Sequence, residues 1–214
     1  MRTLALLLVL ATTTTAAAAD VREAVHRVTL EDPAGDVQAD GDEPVLDLTG
    51  LTITSDGSKL DFSLTLATGA ADVLAATNSA GSVVTVFIDL DDDPATGVTT
   101  MFAKKPGFER EIEIKACIEY DQGQACGGGL REARQKGFFS AWGVRRAEGG
   151  ELERTHDVFW ESPRGVVEGK TLSVSVPYAE LGIQPGRTVR IAVQETGGGF
   201  GPEGFLPEVR LKLK

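Results

Sequence analysis

The sequence predicts an all-β protein, folded as a two-sheet antiparallel β-sandwich of the immunoglobulin or jelly-roll kind. Segments in which apolar and polar residues alternate recur along the chain, which is typical of strands with one buried face. Gly, Asp and Pro interrupt these segments about every ten residues, as turns do between short strands. Helical periodicity is scarce, so helices are not expected to build the core.

The first residues have the pattern of a secretory signal peptide. Arg2 supplies a positive charge, the apolar run LALLLVLA follows, and a tract of small residues leads to Asp20. The apolar run is shorter than the roughly 18 residues that a membrane-spanning helix needs, so no transmembrane segment is predicted. We expect residues 1–19 to be removed, residues 20–214 to form a single domain, and the protein to be secreted or periplasmic.

The charge of the chain restricts its partners. It carries 21 Lys and Arg against 32 Asp and Glu, which gives a formal net charge of −11. Such a surface repels phosphate backbones, so nucleic acid is not an expected partner. The sequence does not determine an oligomeric state.

The first half of the chain shows the clearest strands. Residues 46–54 and 59–67 both alternate, and in the second segment Leu60, Phe62, Leu64 and Leu66 share one face. Residues 82–90 are apolar almost throughout, which predicts a central strand that is covered on both faces. Residues 109–120 alternate with Ile112 and Ile114 inward and Glu111 and Glu113 outward.

The second half predicts shorter strands and little helix. The strand segments are residues 138–147, 155–162, 165–169, 170–177, 188–197 and 208–214. Residues 177–182 are predicted to form a turn or a single helical turn with Leu181 beneath it. Residues 197–204 are predicted to form a flexible glycine-rich loop. Brief helices are predicted only at residues 20–26 and 69–78.

Two cysteines in an exported chain suggest a disulfide bond. Cys117 and Cys126 flank the segment IEYDQGQA. A turn at Asp121 and Gln122 would place the two cysteines opposite each other across a hairpin, and Gly123 can take the positive φ that such hairpins often need. The alternative is a pair of free thiols.

The most concentrated acidic segment is DLDDDPATG, which follows the predicted central strand. Asp89, Asp91 and Asp93 have the spacing of the first ligands of an EF-hand, and close carboxylates repel one another unless a cation lies among them. The position of the invariant EF-hand glycine is Pro94 and the flanks are strands, so the loop is not an EF-hand. We predict Ca²⁺ binding here, with a solvated acidic turn as the alternative.

A second acidic loop, residues 30–48, has the same two interpretations. Its carboxylates are Asp32, Asp36, Asp40, Asp42 and Asp47, and its Gly and Pro residues suit a folded loop that presents oxygen atoms to an ion. Two such loops in one chain favour the calcium interpretation over the solvated-turn interpretation for both.

An ordered set of motifs resembles a known family. DPAGDV, VFIDLDDDPATG, GFEREIEI, VPYAELGIQPG and RIAVQE occur in this order over roughly Val28 to Pro207. Together they resemble the carbohydrate-binding-module family 9-like β-sandwich domains, which are related in fold to DOMON domains. The resemblance implies a structural Ca²⁺ near the DPAGD loop. It makes Asp32, Asp36 and Asp47 the expected ligands, with Glu109 as a further candidate.

The expected function is binding, to a carbohydrate or to a partner protein. Sugars stack on aromatic rings, and Trp142 and Trp160 are the candidate ligand-binding residues, although a strand tryptophan is more often part of a core. The alternative is a structural or interaction domain without a sugar site. An enzyme ranks third, because no nucleophile elbow, zinc-binding helix motif or phosphate loop occurs and no catalytic residue is assigned. Met101 and His156 form a less favoured haem-ligand pair.

Overall fold

The structure is a computed structural model. It describes residues 21–37, 47–69, 83–97, 99, 105–120, 123–125, 136–146, 152–154, 165–196 and 204–214. In residues 83, 113, 115–120, 123–125, 136–146, 152–154 and 165–167 only the backbone is described. The predicted signal peptide, the helix candidate at 69–78 beyond its first residue, and the strand candidate at 155–162 lie outside the described residues.

The described residues form fourteen strands and one short helix. The strands of the first half are β1 (Arg22–Val25), β2 (Arg27–Glu31), β3 (Leu48–Ser55), β4 (Lys59–Leu66), β5 (Val83–Asp89), β6 (Arg110–Tyr120) and β7 (Gly123–Ala125). Those of the second half are β8 (Lys136–Arg146), β9 (Leu152–Arg154), β10 (Gly165–Glu168), β11 (Thr171–Pro177), β12 (Thr188–Thr196), β13 (Gly204–Phe205) and β14 (Val209–Lys212). The helix, α1, is Tyr178–Leu181.

The strands form two sheets that are joined at one corner. The first sheet has the order β10-β11-β4-β3-β2, and the second has the order β1-β14-β12-β5-β6-β8-β9, with β13 on β12 and β7 on β6. The two sheets connect through one pair, Val25 opposite Arg27, around His26, whose φ is +58°. The chain therefore changes sheets at this corner. All strand pairs are antiparallel except β1 with β14. These two strands run side by side in the same direction, with Arg22 opposite Val209 and Val25 opposite Lys212.

The inward faces of both sheets meet in one hydrophobic core, which confirms the predicted β-sandwich. The alternating residues of β4, Leu60, Phe62, Leu64 and Leu66, are all buried. The second sheet contributes its own alternating residues to the same core, among them Val84, Val86, Ile88, Ile112, Ile114, Val189, Ile191 and Val193. Burial of this apolar surface is the main favourable term in folding.

Strand β5 is covered on both faces, as its apolar sequence predicts. Phe87 points away from the core, yet it is only 5% exposed and packs with Phe108 and Ala192 in a second apolar cluster. The rings of Phe87 and Phe108 lie 5.8 Å apart. Glu111 lies on the same outer face and is 6% exposed, so the expectation that it faces solvent is wrong.

The structure confirms only some of the short elements that the sequence predicts. The helical turn α1 is confirmed, with Leu181 buried and Gly182 in the left-handed conformation at its end. The helix predicted at residues 20–26 is wrong, because Arg22–Val25 is a strand that pairs with β14 along its whole length. No helix among the described residues has the length and apolar character needed to cross a membrane.

Candidate metal centre

Three carboxylates from two distant parts of the chain meet at one end of the sandwich. Asp32 follows β2, Asp36 lies in the next turn, and Glu195 is near the end of β12. One oxygen from each lies within 4.8 Å of the others. Because β2 belongs to the first sheet and β12 to the second, this cluster bridges the two sheets.

Asp47 and the backbone complete this centre. The Gly35 amide donates to Asp47 Oδ2 at 2.8 Å, which ties the turn at 34–35 to the start of β3. The Leu48 amide donates to Glu195 Oε2 at 3.2 Å. The Asp32 amide also donates to the Thr49 carbonyl at 3.3 Å, so the loop that carries Asp32 and Asp36 is held by Asp47 and by β3.

The centre contains buried oxygen atoms that lack partners. In their ionised form, Asp32 Oδ2, Asp47 Oδ1 and Glu195 Oε1 have no hydrogen-bond partner among the described residues. Glu195 is 0% exposed and Asp47 is 7% exposed. A buried carboxylate oxygen without a partner is strongly unfavourable, so these atoms indicate that a shared proton or a cation satisfies them.

Burial and neighbouring carboxylates raise the pKa values of Glu195, Asp32 and Asp47. Burial, together with the negative charges of Asp32, Asp36 and Asp47, raises the pKa of Glu195 from an ordinary 4.5 to about 9, against the opposing effect of the Leu48 amide. Burial also raises the pKa of Asp32 and of Asp47, and the charge of Asp36 adds to both rises. Without a cation, Glu195 is protonated at neutral pH and can share its proton with Asp32.

The residues of the centre fit a hard cation. All the side chains that meet here are carboxylates, and Ca²⁺ takes six to eight oxygen ligands from carboxylates and backbone carbonyls in a flexible geometry. Asp32, Asp36 and Glu195 would hold the ion, with Asp47, which lies outside the group whose oxygens meet, beside them. Its charge would offset the repulsion among these carboxylates.

The second acidic cluster joins Asp89, Asp91 and Glu109 after strand β5. One oxygen from each lies within 4.8 Å of the others, whereas Asp93 is outside this group. Asp89 is 0% exposed, and Arg190 contacts its Oδ2 through Nε at 3.0 Å and Nη2 at 2.8 Å. Its Oδ1 accepts from the amides of Asp91 at 3.1 Å and Asp92 at 2.6 Å. Asp89 is therefore fully bonded within the protein.

Glu109 and Asp91 also have protein partners. Glu109 accepts from the Leu90 amide at 2.8 Å and from the Thr96 hydroxyl at 2.8 Å. Asp91 Oδ1 accepts from the Asp93 amide at 3.1 Å and lies 3.0 Å from the same Thr96 hydroxyl, whose single proton serves one of the two carboxylates at a time. These hydrogen bonds satisfy the carboxylates of the loop without an ion. Calcium binding here stays a prediction, since none of the loop's described carboxylates has a buried oxygen without a partner.

A glycine allows this loop to close against Glu109. Gly97 has a φ of +60°, and a Cβ at this position would lie 2.5 Å from Glu109 Oε1 and 2.7 Å from the Phe108 backbone. A side chain does not fit there, and the left-handed conformation disfavours one as well. The loop is thus built to pack on itself.

The remaining predicted site residues are described only in part. Trp142 lies on β8 with its backbone alone described, and Trp160 lies outside the described residues, as do Met101 and His156. The hairpin around Asp121 and Gln122 is confirmed by the pairing of β6 with β7, in which Tyr120 is opposite Gly123. Cys117 is on β6, and Cys126 lies outside the described residues, so their disulfide stays a prediction.

Glu195 is the member of the centre that the sequence analysis did not identify. Its position carried a signal, since Val189, Ile191 and Val193 alternate inward along β12 and Glu195 is next in that series. A carboxylate at a core-facing strand position needs a partner. The approach of the Asp32 loop to this position is not visible in the local sequence.

Comparison with protein-family models, with curated proteins and with solved structures finds no match to this chain. The resemblance to carbohydrate-binding-module family 9-like and DOMON-like domains therefore depends on the motifs quoted above.

Proposed function

We propose that this protein is an exported β-sandwich binding module that Ca²⁺ stabilises at the centre formed by Asp32, Asp36, Asp47 and Glu195. The observation that carries the proposal is the buried Glu195 carboxylate, whose Oε1 has no partner among the described residues and faces other carboxylates. A cation is the simplest group that satisfies several such oxygens at once.

The position of the centre suggests a structural role for the ion. Asp32 and Asp47 flank strands β2 and β3 of the first sheet, whereas Glu195 belongs to β12 of the second sheet. The loop between Asp32 and Asp36 has little apolar surface of its own, and Asp36 is exposed. An ion held by both sheets would fix this loop and join the layers at one end of the sandwich.

Thermal unfolding tests the metal directly. Calcium at 100-fold over its Kd should stabilise the folded state by about 2.7 kcal/mol, because only the folded protein assembles the ligands. The melting temperature should therefore be higher in millimolar calcium than in EDTA, and magnesium at the same concentration serves as the control. Equal melting temperatures in calcium and in EDTA would contradict the proposal.

The ligand that we propose is a carbohydrate. The support is the resemblance of the ordered motifs to carbohydrate-binding modules, together with an acidic surface that disfavours polyanions. The alternative is a partner protein bound without a sugar site. Retention on immobilised neutral polysaccharides, measured with calcium and with EDTA, separates the two, since an interaction domain without a sugar site would not be retained.

A further inference from the structure

Strand β13 lies directly against the metal centre. Gly204 on β13 is opposite Glu195 on β12, so the two residues share a face of the sheet. Gly204 is buried, and a Cβ at this position would lie 3.6 Å from Asp36 Oδ2, 3.6 Å from Glu195 Cβ and 3.9 Å from the Glu195 carboxyl carbon. The centre therefore has a third wall, in addition to the loop that carries Asp36 and the strand that carries Glu195.

Space, and not backbone conformation, favours a glycine at this position. The backbone of Gly204 is not in the left-handed conformation, so a residue with a side chain could adopt it. A single methyl group would make ordinary van der Waals contact with Asp36 and Glu195. The two further methyl groups of a valine would have to enter the space that these side chains border. The size of the residue at 204 therefore limits the room beside the two carboxylates.

The two ends of β13 are held differently. The strand has two residues, and among the described strands it pairs with β12 alone. Leu206, which follows it, is buried in the core, and its amide donates to the Val193 carbonyl at 3.2 Å. Hydrogen-bonded pairs alternate along an antiparallel ladder, so Gly204 and Glu195 form the next such pair. Because Gly204 has no side chain to bury, its end of the strand depends on this backbone pair and on the metal centre beside it.

We infer that Ca²⁺ at the metal centre and the start of β13 hold each other in place, and that the small size of Gly204 leaves room for the ion. The inference rests on the proposed metal centre and adds to it a third wall and the residue that determines its size. An ion that draws Asp36 toward Glu195 also fixes the backbone against which Gly204 pairs. By linkage, the ion stabilises the docked strand by the same free energy as the docked strand stabilises the bound ion.

This linkage extends to the outer surface of the second sheet. Phe205 follows Gly204, points to the opposite face of the sheet and is 38% exposed. Lys105 Nζ lies 5.7 Å from the centre of the Phe205 ring and 2.7 Å from Glu208 Oε1. Calcium would therefore determine the position of an exposed aromatic side chain, and of the cation over its ring, although Phe205 points away from the centre.

Amide hydrogen exchange of the unchanged protein tests the linkage, followed residue by residue by NMR in calcium and in EDTA. The Gly204 amide should exchange at least about fivefold more slowly in calcium, the lower end of ordinary coupling between linked sites. The amides of β4 are the control, because β4 pairs with β3 on one side and β11 on the other and should open only with the whole fold. At labelling times too short for β4 to exchange, equal rates for Gly204 in calcium and in EDTA would overturn the inference.

Gly204→Val tests the role of residue size, with calcium affinity measured by competition with a chelator. The variant should bind calcium at least about fivefold more weakly, and Gly204→Ala should lose less, because one methyl group makes only ordinary contacts. Gly50→Val is the matched control. Gly50 also lies in a strand without a left-handed backbone, and a Cβ there would meet the Leu30 carbonyl oxygen at 3.4 Å and Thr65 Cβ at 3.9 Å instead of a ligand of the centre. Unchanged calcium affinity in Gly204→Val would overturn the inference.

The outcomes separate the inference from the proposed function. A calcium-dependent rise in melting temperature without slower exchange at Gly204 would overturn the inference and leave the metal centre intact. The same melting temperature in calcium and in EDTA would overturn both. The exchange measurement uses the unchanged protein, so it decides the inference even where Gly204→Val fails to fold.

Discussion

Arg190 and Asp89 lie opposite each other on β12 and β5, and the arginine donates two hydrogen bonds to one oxygen of the aspartate. The Arg190 side chain is 12% exposed and Asp89 is fully buried. Arg190 also donates to the Pro106 carbonyl at 2.6 Å and stacks over the Phe108 ring at 4.7 Å. A single guanidinium therefore fastens the acidic loop to the sheet.

Replacing Arg190 should destabilise the protein strongly. Arg190→Met leaves the Asp89 charge buried without its cation, and loss of one partner of a buried pair costs about 3 to 5 kcal/mol. Urea unfolding measures the change. Arg210→Met is the control, since Arg210 pairs with Asp92 at a side-chain exposure of 41% and exposed pairs contribute about 1 kcal/mol or less. Equal losses in the two variants would contradict the role assigned to Arg190.

The two acidic clusters should respond differently to calcium. Asp36→Asn and Glu195→Gln each remove a proposed ligand charge, so both should reduce the rise in melting temperature between EDTA and calcium. Asp91→Asn should leave the rise unchanged, because Asp91 is exposed and its carboxylate has partners within the loop. A reduced rise in the Asp91 variant would instead indicate that the second cluster also binds the ion.

Stability without calcium should fall as pH rises. The pKa of Glu195 is raised from 4.5 to about 9 by burial and by neighbouring carboxylates, so the folded state holds a proton that the unfolded state has lost. Between pH 4.5 and about pH 9, the titration of Glu195 alone should lower the unfolding free energy by about 1.4 kcal/mol per pH unit. The stabilisation that the Glu195 proton provides is complete below pH 4.5 and is lost as the pH rises to about 9.

Glu195→Gln isolates this effect. In EDTA the variant should show a shallower decrease in unfolding free energy between pH 5 and pH 8 than the unchanged protein, since glutamine has no proton to lose. Calcium should stabilise the unchanged protein more at pH 8 than at pH 5, because the ion competes with protons for the same carboxylates. Parallel pH profiles for the two proteins in EDTA would argue against the raised pKa.

The cysteines should form a disulfide bond in protein from an oxidising compartment. Ile118 is opposite Ala125 in the β6–β7 hairpin, so one further step of this ladder would bring Cys117 opposite Cys126. The enclosed loop is short, and the bond should contribute about 2 to 3 kcal/mol. Intact mass after alkylation without reductant measures it, with a reduced sample as the control. Two alkylated thiols in the unreduced sample would contradict the bond.

The sequence by itself determined most of the long strands and their inward faces, whereas β1 was predicted as a helix. Alternation in 59–66 and in the first half of β6 reports burial locally, because successive strand residues point to opposite faces. The apolar run of β5 likewise indicated cover on both sides. The resemblance also brought Asp32, Asp36 and Asp47 together as expected calcium ligands, and the structure places Asp32 and Asp36 in one cluster with Asp47 close by.

Only the tertiary structure decided which carboxylates lack hydrogen-bond partners among the described residues. Leu48 and Glu195 are 147 residues apart in the chain, and they meet because β3 begins where β12 ends, at the same side of the sandwich. Arg190 is 101 residues from Asp89 in the chain. The pairing of β12 with β5 brings its guanidinium to the loop after β5, where it binds the Asp89 carboxylate. Local pattern fixes which face a side chain occupies, whereas strand order and register fix the groups that it meets there.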